Sequence, residues 1–270
     1  MKIAICMYYN NGVASYGYYS KKINKIYCEK YGYDFIVAND NNIDYYFKDN
    51  CSKIEGGEFW SNIINNTDPY YVRYPLLLHV MENYDWVMWI DADAYFYHDS
   101  PPLEYLLYHS KKYDCILSFD KIQLLTNQYN DYDINNGVFI FKNCENNKSI
   151  LEKMINSHDI KEEAEKHHFI YDQSIFRYLY DTNYLNFKNK SYVLNYGILQ
   201  HFYRFELGKF LFKKPFIHHV CGKNQNRTET IKNYYYKIKY FNWNNILTFL
   251  TVSAGISFVY YLNSTPQICN

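Results

Sequence analysis

The sequence is poor in the residues that divide or cross-link a chain. Its 270 residues include only 10 glycines and 6 prolines, and no stretch rich in proline, glycine and serine marks a linker. Seven cysteines are scattered without a C-x-x-C pair, and an odd count without framework spacing argues against a disulfide scaffold or a zinc site. No internal repeat is present. We therefore expect one domain followed by a C-terminal tail.

A surplus of charge of one sign is also absent. Lys and Arg number 28, as do Asp and Glu, and no basic stripe stands out, so we predict no nucleic-acid partner. The first residues run directly into a short apolar segment that is too poorly flanked to be a secretory signal.

The predicted tail, residues 240–270, contains no charged residue. Within it, residues 246–262 are predominantly apolar and reach the short limit for a membrane-spanning helix, with aromatic residues at the ends. An amphipathic or buried terminal helix is the alternative. We predict a main domain over residues 1–239 and a protein that is either membrane-associated through this anchor or cytoplasmic.

The N-terminal segment alternates strand and helix patterns. Apolar residues 2–8 predict a strand, residues 16–31 carry apolar side chains at helical spacing, and residues 33–38 predict a second strand. Such a unit opens a parallel sheet with helices on both faces, so we predict an α/β, Rossmann-like fold. Further predictions are a loop over residues 40–66, helices over 71–83, 103–110, 149–168 and 172–180, and strands over 86–90, 115–119, 138–141 and 192–194.

An abrupt change from apolar to acidic residues is the most informative local feature. The apolar run Trp86–Ile90 breaks into Asp91-Ala92-Asp93. Two carboxylates at the end of a buried strand emerge at the carboxyl edge of the sheet, where open α/β sheets bind ligands. Mg²⁺ and Mn²⁺ prefer such oxygens and bridge to substrate phosphates. We predict a metal–diphosphate site, with a plain acidic turn as the alternative.

Other polar residues end predicted strands at the same edge. Tyr8 and Asn10 follow the first strand and Asp40 follows the second, which makes them candidates for contacts with a nucleotide base and ribose by position. Asp120 ends a later strand and is a candidate for a sugar hydroxyl.

Four segments share their order and spacing with a known family. They are Tyr74 to Leu78 ahead of YDWVMWIDADAYF, then NNGVFIFKN, YDQSIFRYL and PFIHHVCGK. Over residues 1–225 the chain resembles the glycosyltransferase family of yeast-type α-galactosyltransferases, mannan-synthesis mannosyltransferases and plant xyloglucan xylosyltransferases. The resemblance implies a single-domain GT-A fold, in which a mixed sheet with flanking helices binds a UDP- or GDP-sugar together with Mn²⁺ or Mg²⁺.

The resemblance also implies ligands for the metal and the diphosphate. Asp91 and Asp93 match the family's metal-chelating Asp-x-Asp, and His219 matches its metal-ligating histidine, with His218 as the alternative ligand. By the same matching, three residues would approach the donor diphosphate, namely Gly222, Lys223 and Arg73. A surface arginine is the alternative for the last of these.

The remaining matches concern the donor sugar. Asp172 and Gln173 match the family's Asp-Gln pair, which faces the reacting sugar, and the family retains the anomeric configuration. Asp172 is expected to position the sugar or to stabilise positive charge at its anomeric carbon, with a helix cap as the alternative. Asn135, Asn136 and Gly137 would line the sugar pocket, with a tight turn before a strand as the alternative.

The function implied is a metal-dependent, retaining transfer of a hexose or pentose from a nucleotide-diphosphate sugar to a glycan or glycoconjugate acceptor. The alternative is a catalytically inactive protein on the same fold that binds nucleotide sugar or carbohydrate. A phosphatase of the haloacid dehalogenase type also has Asp-x-Asp after a strand. There, however, the motif normally lies near the N-terminus with Thr or Val two residues after the second Asp, where this chain has Tyr95.

Overall fold

The structure, a computed structural model, describes residues 1–42, 69–119, 134–167, 172–195, 197–201, 216–221 and 226–240. Several predictions concern parts of the chain outside these residues, namely most of the loop over 40–66, Asp120, Gly222, Lys223 and the apolar run 246–262. Among the helices that the structure does describe, none has the length and apolar character needed to cross a membrane.

The N-terminal segment forms the predicted strand–helix–strand unit. Strand β1 (Ile3–Tyr9) is buried over its first five residues and pairs in parallel with β2 (Asp34–Asn39). Helix α1 (Ala14–Tyr31) connects them and ends at Gly32, whose φ of 74° is left-handed. The residues that α1 buries include Ile23 and Tyr27, which lie one helical turn apart.

The remaining elements follow in chain order. They are α2 (Arg73–Met81), β3 (Trp86–Ile90), β4 (Ala94–Phe96), α3 (Glu104–His109), β5 (Cys115–Phe119), β6 (Ile134–Lys142), α4 (Glu145–Ile155), α5 (Lys161–His167), α6 (Asp172–Asp181), β7 (Ser191–Leu194), β8 (Gln200–His201), β9 (Ile217–His219) and a helix over residues 227–240, labelled α7. Short 3₁₀ turns cover Asn11–Val13, Pro69–Val72 and Tyr184–Asn186.

The main sheet has six strands in the order β2-β1-β3-β6-β5-β7. Strand β6 runs antiparallel to both of its neighbours, whereas the other pairs are parallel. Side chains alternate across the sheet, so Val87 and Trp89 of β3 pack on the face covered by α2, α4 and α6, and Met88 packs on the face covered by α1 and α3. This mixed α/β sheet with flanking helices confirms the predicted GT-A fold class and its single domain.

A second, three-stranded sheet has the order β4-β9-β8. Strand β4 leaves the Asp91–Asp93 turn directly and pairs antiparallel with β9. The ring of Phe96 in β4 stacks on that of Tyr27 in α1, with the ring centroids 3.7 Å apart. This small sheet therefore joins residues late in the chain to the end of the central strand β3.

Two predicted boundaries are wrong. The single helix over 149–168 is two helices, α4 and α5, separated by residues 156–160; the Asn156 side chain donates to the Glu152 carbonyl, a local bond that competes with helix continuation. The strand predicted over 138–141 begins earlier, at Ile134, so residues 135–137 lie within β6 and not in the alternative tight turn; a register shift in the β5 pairing occurs there. Buried partners bond the amides of Asn135 and Asn136, which lets a central strand carry them.

We expect Gly32→Ala to lower the free energy of unfolding by about 1 kcal/mol, because an L residue is strained in a left-handed conformation. No neighbouring atom would lie within 4 Å of the added Cβ, so backbone strain accounts for the loss. Urea denaturation followed by circular dichroism measures it. Lys21→Ala, on the same helix, serves as the control and should change stability by less than about 0.5 kcal/mol. Equal losses in the two variants would contradict this prediction.

Candidate active site

The Asp91–Asp93 turn lies where β3 leaves the core. The backbone amide of Asp91 donates to the carbonyl of Gly137 on the neighbouring strand at 2.9 Å. The amide of Ala94 then donates back to the carbonyl of Asp91 at 3.0 Å, which closes a tight turn. Both carboxylates are consequently fixed at the edge of the sheet, with Asp91 one-quarter exposed.

Strand β9 brings His219 to this turn. His219 lies opposite Ala94 in the pairing with β4, and its Nε2 lies 3.1 Å from Asp93 Oδ1 and 3.8 Å from Asp91 Oδ2. Adjacent strand residues point to opposite faces, and His218 accordingly contacts the hydroxyl of Tyr95 at 2.8 Å. The geometry thus favours His219 over the alternative ligand His218.

In each carboxylate, one oxygen contacts neighbouring side chains and the other faces His219. Asp91 Oδ1 accepts a hydrogen bond from the Trp89 indole at 2.7 Å and lies 3.4 Å from Arg73 Nη2. Asp93 Oδ2 lies 3.0 Å from Nε of Arg227, which belongs to α7. The other oxygen of each carboxylate faces His219. Both carboxylates are therefore oriented before any ligand arrives.

The chemistry of these donors fits a divalent cation. Two carboxylate oxygens and one imidazole nitrogen, from Asp91, Asp93 and His219, lie within 4.8 Å of one another. Ligands bound about 2.1 Å from an ion and at right angles are about 3.0 Å apart, close to the separations of 3.1 and 3.8 Å seen here. The carboxylate oxygens suit Mn²⁺ or Mg²⁺, and the imidazole donor is more usual for a transition metal; either ion would keep further positions for phosphate.

Nearby charges shift the pKa values of the two carboxyl groups in opposite directions. Burial raises the pKa of Asp91 above its ordinary value and outweighs the opposing charges of Arg73 and His219. The same burial effect acts on Asp93, but His219 and Arg227 outweigh it and lower that pKa. Asp93 is therefore the more firmly ionised of the pair.

Gly137 lies directly against two of the three candidate ligands, His219 and Asp91. A Cβ added there would come within 2.3 Å of His219 Cε1 and 2.7 Å of Asp91 Oδ2. Both distances are shorter than any ordinary contact, so a side chain at this position would displace one of the two ligands. The lack of a side chain at Gly137 is what lets these two ligands approach each other.

A second polar cluster surrounds Asp172 at the start of α6. Asp172 Oδ2 accepts from the Tyr74 hydroxyl at 2.6 Å and from the Asn136 amide at 2.9 Å, and Arg73 Nε lies 3.2 Å away. Burial and the nearby carboxylate raise the pKa of Tyr74 well above its usual value, so its hydroxyl remains a donor. Asp172 therefore does more than cap a helix.

Arg73 links the two clusters. Its side chain is only 5% exposed and lies against both Asp91 and Asp172, so the alternative of a surface arginine does not apply. Burial by itself would lower the pKa of Arg73, but the two carboxylates raise it above the ordinary value. The guanidinium is thus a permanent positive charge between the cation site and the Asp172 cluster.

The other predicted residues lie nearby or in supporting positions. Tyr8 donates to Asp40 at 2.9 Å across the carboxyl ends of β1 and β2. The side-chain oxygen of Asn10 accepts from Val13 N and so caps the first 3₁₀ turn. The Gln173 amide makes a long contact of 3.5 Å to the Ile134 carbonyl.

Four residues of the site were not predicted from the sequence as functional candidates. They are Gln200, Arg227, Tyr74 and Trp89. Trp89 could have been found, because a two-residue period places it on the same face as Asp91. Gln200 and Arg227 belong to segments without a recognisable motif, and only the pairing of β8 with β9 and the packing of α7 bring them in.

Comparisons with solved structures assign the architecture to the GT-A glycosyltransferase fold. The chain matches a glycosyltransferase involved in glycosylation of the major capsid of PBCV-1 with a TM-score of 0.59 and 16% identity, over 86% of this chain and 99% of the other. It is also similar to the galactosyltransferase LgtC in complex with donor and acceptor sugar analogs, with a TM-score of 0.52 and 15% identity, over 87% of this chain and 95% of the other. No protein-family model and no curated protein sequence matches the chain.

We expect Gly137→Ala to weaken Mn²⁺ binding by at least roughly tenfold and to cost about 1–3 kcal/mol of stability, because the new methyl group overlaps His219 and Asp91. Calorimetric titration with Mn²⁺ and urea denaturation measure the two effects. Gly12→Ala is the matched control: the nearest side-chain atom to its added Cβ would be 3.3 Å away, outside the cation site. Unchanged Mn²⁺ affinity in Gly137→Ala would show that this position does not constrain the ligands.

Arg73→Met should destabilise the protein by about 3–5 kcal/mol, because it leaves the Asp172 carboxylate buried without its counter-charge. Adding Asp172→Asn to that variant should restore part of the loss, although Asp172→Asn alone should be destabilising. Urea denaturation of the two single variants and the double variant completes the thermodynamic cycle. Strictly additive losses would mean that the two side chains do not stabilise each other.

Proposed function

We propose that this protein is a metal-dependent glycosyltransferase that uses a nucleotide-diphosphate sugar as donor. The observation that carries the proposal is the placement of the Asp91, Asp93 and His219 donors beside the buried Asp172 cluster, on a GT-A fold. The fold alone does not define an activity. A cation-binding set and a sugar-facing acidic cluster, joined by one arginine, are what this reaction requires.

The first task of the site is to stabilise a leaving diphosphate. A bound divalent cation would supply positive charge to the diphosphate oxygens as the glycosidic bond breaks. Asp91, Asp93 and His219 would hold that cation. Arg73 and Arg227 lie beside the same carboxylates and limit the excess of negative charge before the donor arrives. Gly222 and Lys223 remain predicted diphosphate contacts.

The second task is to orient the donor sugar. We assign this role to Asp172, with Asn136 and Gln173 at its side. Asp172 Oδ2 already has three polar neighbours, an arrangement that favours electrostatic stabilisation of the anomeric carbon over covalent attack. Retention of configuration would then proceed by attack of the acceptor on the face from which the diphosphate leaves.

The finer features of the proposal come from the sequence resemblance. They are a retaining mechanism, a hexose or pentose from a UDP- or GDP-sugar, Mn²⁺ or Mg²⁺ as the cation, and a glycan or glycoconjugate acceptor. Membership of the galactosyl-, mannosyl- and xylosyltransferase family belongs to the same proposal, whereas membrane association through residues 246–262 is proposed from the apolar run alone. We also propose, from their position, that Tyr8 and Asp40 contact the nucleoside; they are hydrogen-bonded to each other at the ends of two parallel strands.

Incubation with Mn²⁺ and a panel of UDP- and GDP-sugars should release nucleoside diphosphate slowly by donor hydrolysis, and faster once an acceptor is present. Removal of the cation with EDTA should abolish release, and added Mn²⁺ should restore it. Asp93→Asn should lower the rate by about 10²-fold or more, because it removes a charged ligand of the cation. Quantification of the nucleoside diphosphate by chromatography measures each rate.

Asp159→Asn provides the matched control, since Asp159 pairs with Lys153 on the protein surface and lies outside the site. Tight binding of a nucleotide sugar without turnover on any acceptor would favour the inactive binding protein over the transferase. Hydrolysis of simple phosphomonoesters would contradict both.

A further inference from the structure

A buried line of hydrogen bonds runs from the backbone of β6 to the imidazole of His219. It starts at the amide of Gly137, which donates to Asn135 Oδ1 at 2.8 Å. Asn135 Oδ1 also accepts from Gln200 Nε2 at 3.1 Å. Gln200 Oε1 then lies 2.9 Å from His219 Nδ1. Gln200 is fully buried, so these two contacts satisfy its side chain inside the protein.

The donor and acceptor of every hydrogen bond in this line follow from the first bond, between the Gly137 amide and Asn135. A backbone N–H can only donate, so the Asn135 atom that faces Gly137 must be the carbonyl oxygen. An oxygen that accepts this bond can take a second one only from a donor, so the amide nitrogen of Gln200 must face Asn135. The Gln200 oxygen is thereby turned toward His219, whose Nδ1 must carry the proton. The opposite orientation of Gln200 would place two oxygens against each other.

The same bond directions determine the state of Nε2, on the other side of the imidazole ring. With the proton fixed on Nδ1, the neutral ring has its lone pair on Nε2. That nitrogen lies 3.1 Å from Asp93 Oδ1 and 3.8 Å from Asp91 Oδ2. A lone pair facing two carboxylate oxygens is an unfavourable arrangement unless a proton or a cation lies between them. The neutral ring is therefore oriented as a metal ligand.

We propose that Gln200 is a positioning residue that holds His219 in its Nδ1–H tautomer and so presents Nε2 to a divalent cation between Asp91 and Asp93. Gln200 acts through His219 and touches neither cation nor donor itself. It takes the place that a carboxylate or backbone carbonyl occupies behind other metal-binding histidines. The inference deepens the proposed function, on which its importance for catalysis rests, but its tests do not depend on sugar transfer.

The first test reads the tautomer directly. In protein with ¹⁵N-labelled histidine, two-bond ¹H–¹⁵N spectra distinguish a protonated Nδ1 from a protonated Nε2. We expect Nδ1–H for His219 in the metal-free protein at a pH where the ring is neutral, and the same proton after addition of diamagnetic Mg²⁺. His219→Ala identifies the signals. A proton on Nε2 of the neutral ring would overturn the proposal.

The second test separates metal affinity from stability. Gln200→Leu keeps much of the volume but removes the acceptor, so we expect Mn²⁺ affinity measured by calorimetry to fall by about 10- to 100-fold. Asn147→Leu is the matched control, because Asn147 is a fully buried amide that bonds Cys115 Sγ and the carbonyls of Asp114 and Lys142 instead. It should lose stability and keep its Mn²⁺ affinity.

A third variant covers the case in which Gln200→Leu does not fold. Gln200→Glu restores an acceptor for His219 Nδ1–H but places an oxygen against Asn135 Oδ1. It should therefore lose stability, yet bind Mn²⁺ within about threefold of the native protein, as a carboxylate behind a metal-binding histidine does. Equal weakening of Mn²⁺ binding by Glu and by Leu would point to a merely structural role and overturn the proposal.

The role of Gln200 and the proposed function can each be contradicted by a result that leaves the other intact. If the protein releases no nucleoside diphosphate from any donor but shows the tautomer and the affinity differences, the transferase proposal fails and the role of Gln200 stands. If the protein transfers sugar but the neutral His219 ring carries its proton on Nε2, the role of Gln200 is contradicted and the transferase proposal stands. Absence of Mn²⁺ binding to the native protein would overturn both.

Discussion

The absence of a side chain at Gly137 is the constraint on which the site depends. The two backbone groups of Gly137 connect the carboxylate turn with the histidine: its carbonyl accepts from the backbone of Asp91, and its N–H begins the line that ends at His219. The space where a Cβ would be is filled by the ligands themselves. A strand residue with no side chain thus permits the close approach and, through its two backbone groups, also fixes the orientation of what approaches.

Arg73 couples the charges of two clusters, one around Asp91 and one around Asp172, which different helices and strands supply. Its guanidinium contacts carboxylates on both sides and is itself almost fully buried, and charges interact more strongly at such a position than at the surface. Groups held this rigidly need no reorganisation when charge develops on a substrate, which is the main electrostatic advantage an enzyme can offer. The same burial makes the arginine important for stability, because the Asp172 carboxylate is costly in the interior without a counter-charge.

The sequence predicts what depends on local patterns. The apolar run before Asp91 identifies the strand and its exit, and Gly32 identifies the end of α1, because burial and left-handed geometry each leave a local signature. Long-range pairing leaves none. Gln200 reaches His219 only because β8 pairs with β9, and Asn136 reads as a turn residue until its buried partner Asp172 is known. Polar residues in a central strand contradict local propensity, and such contradictions tend to mark functional sites.

The small sheet explains how Asp93 and His219, which are 126 residues apart in sequence, come into contact. Val220 N donates to the carbonyl of Asp93, and β4 and β9 bury Phe96 and Ile217 in the core that covers one face of the main sheet. Hydrogen bonds and apolar burial therefore offset the entropy of closing this long loop during folding. A divalent cation of the kind proposed above would bind to donors that the fold already holds together, so little of its binding free energy would be spent on ordering the chain.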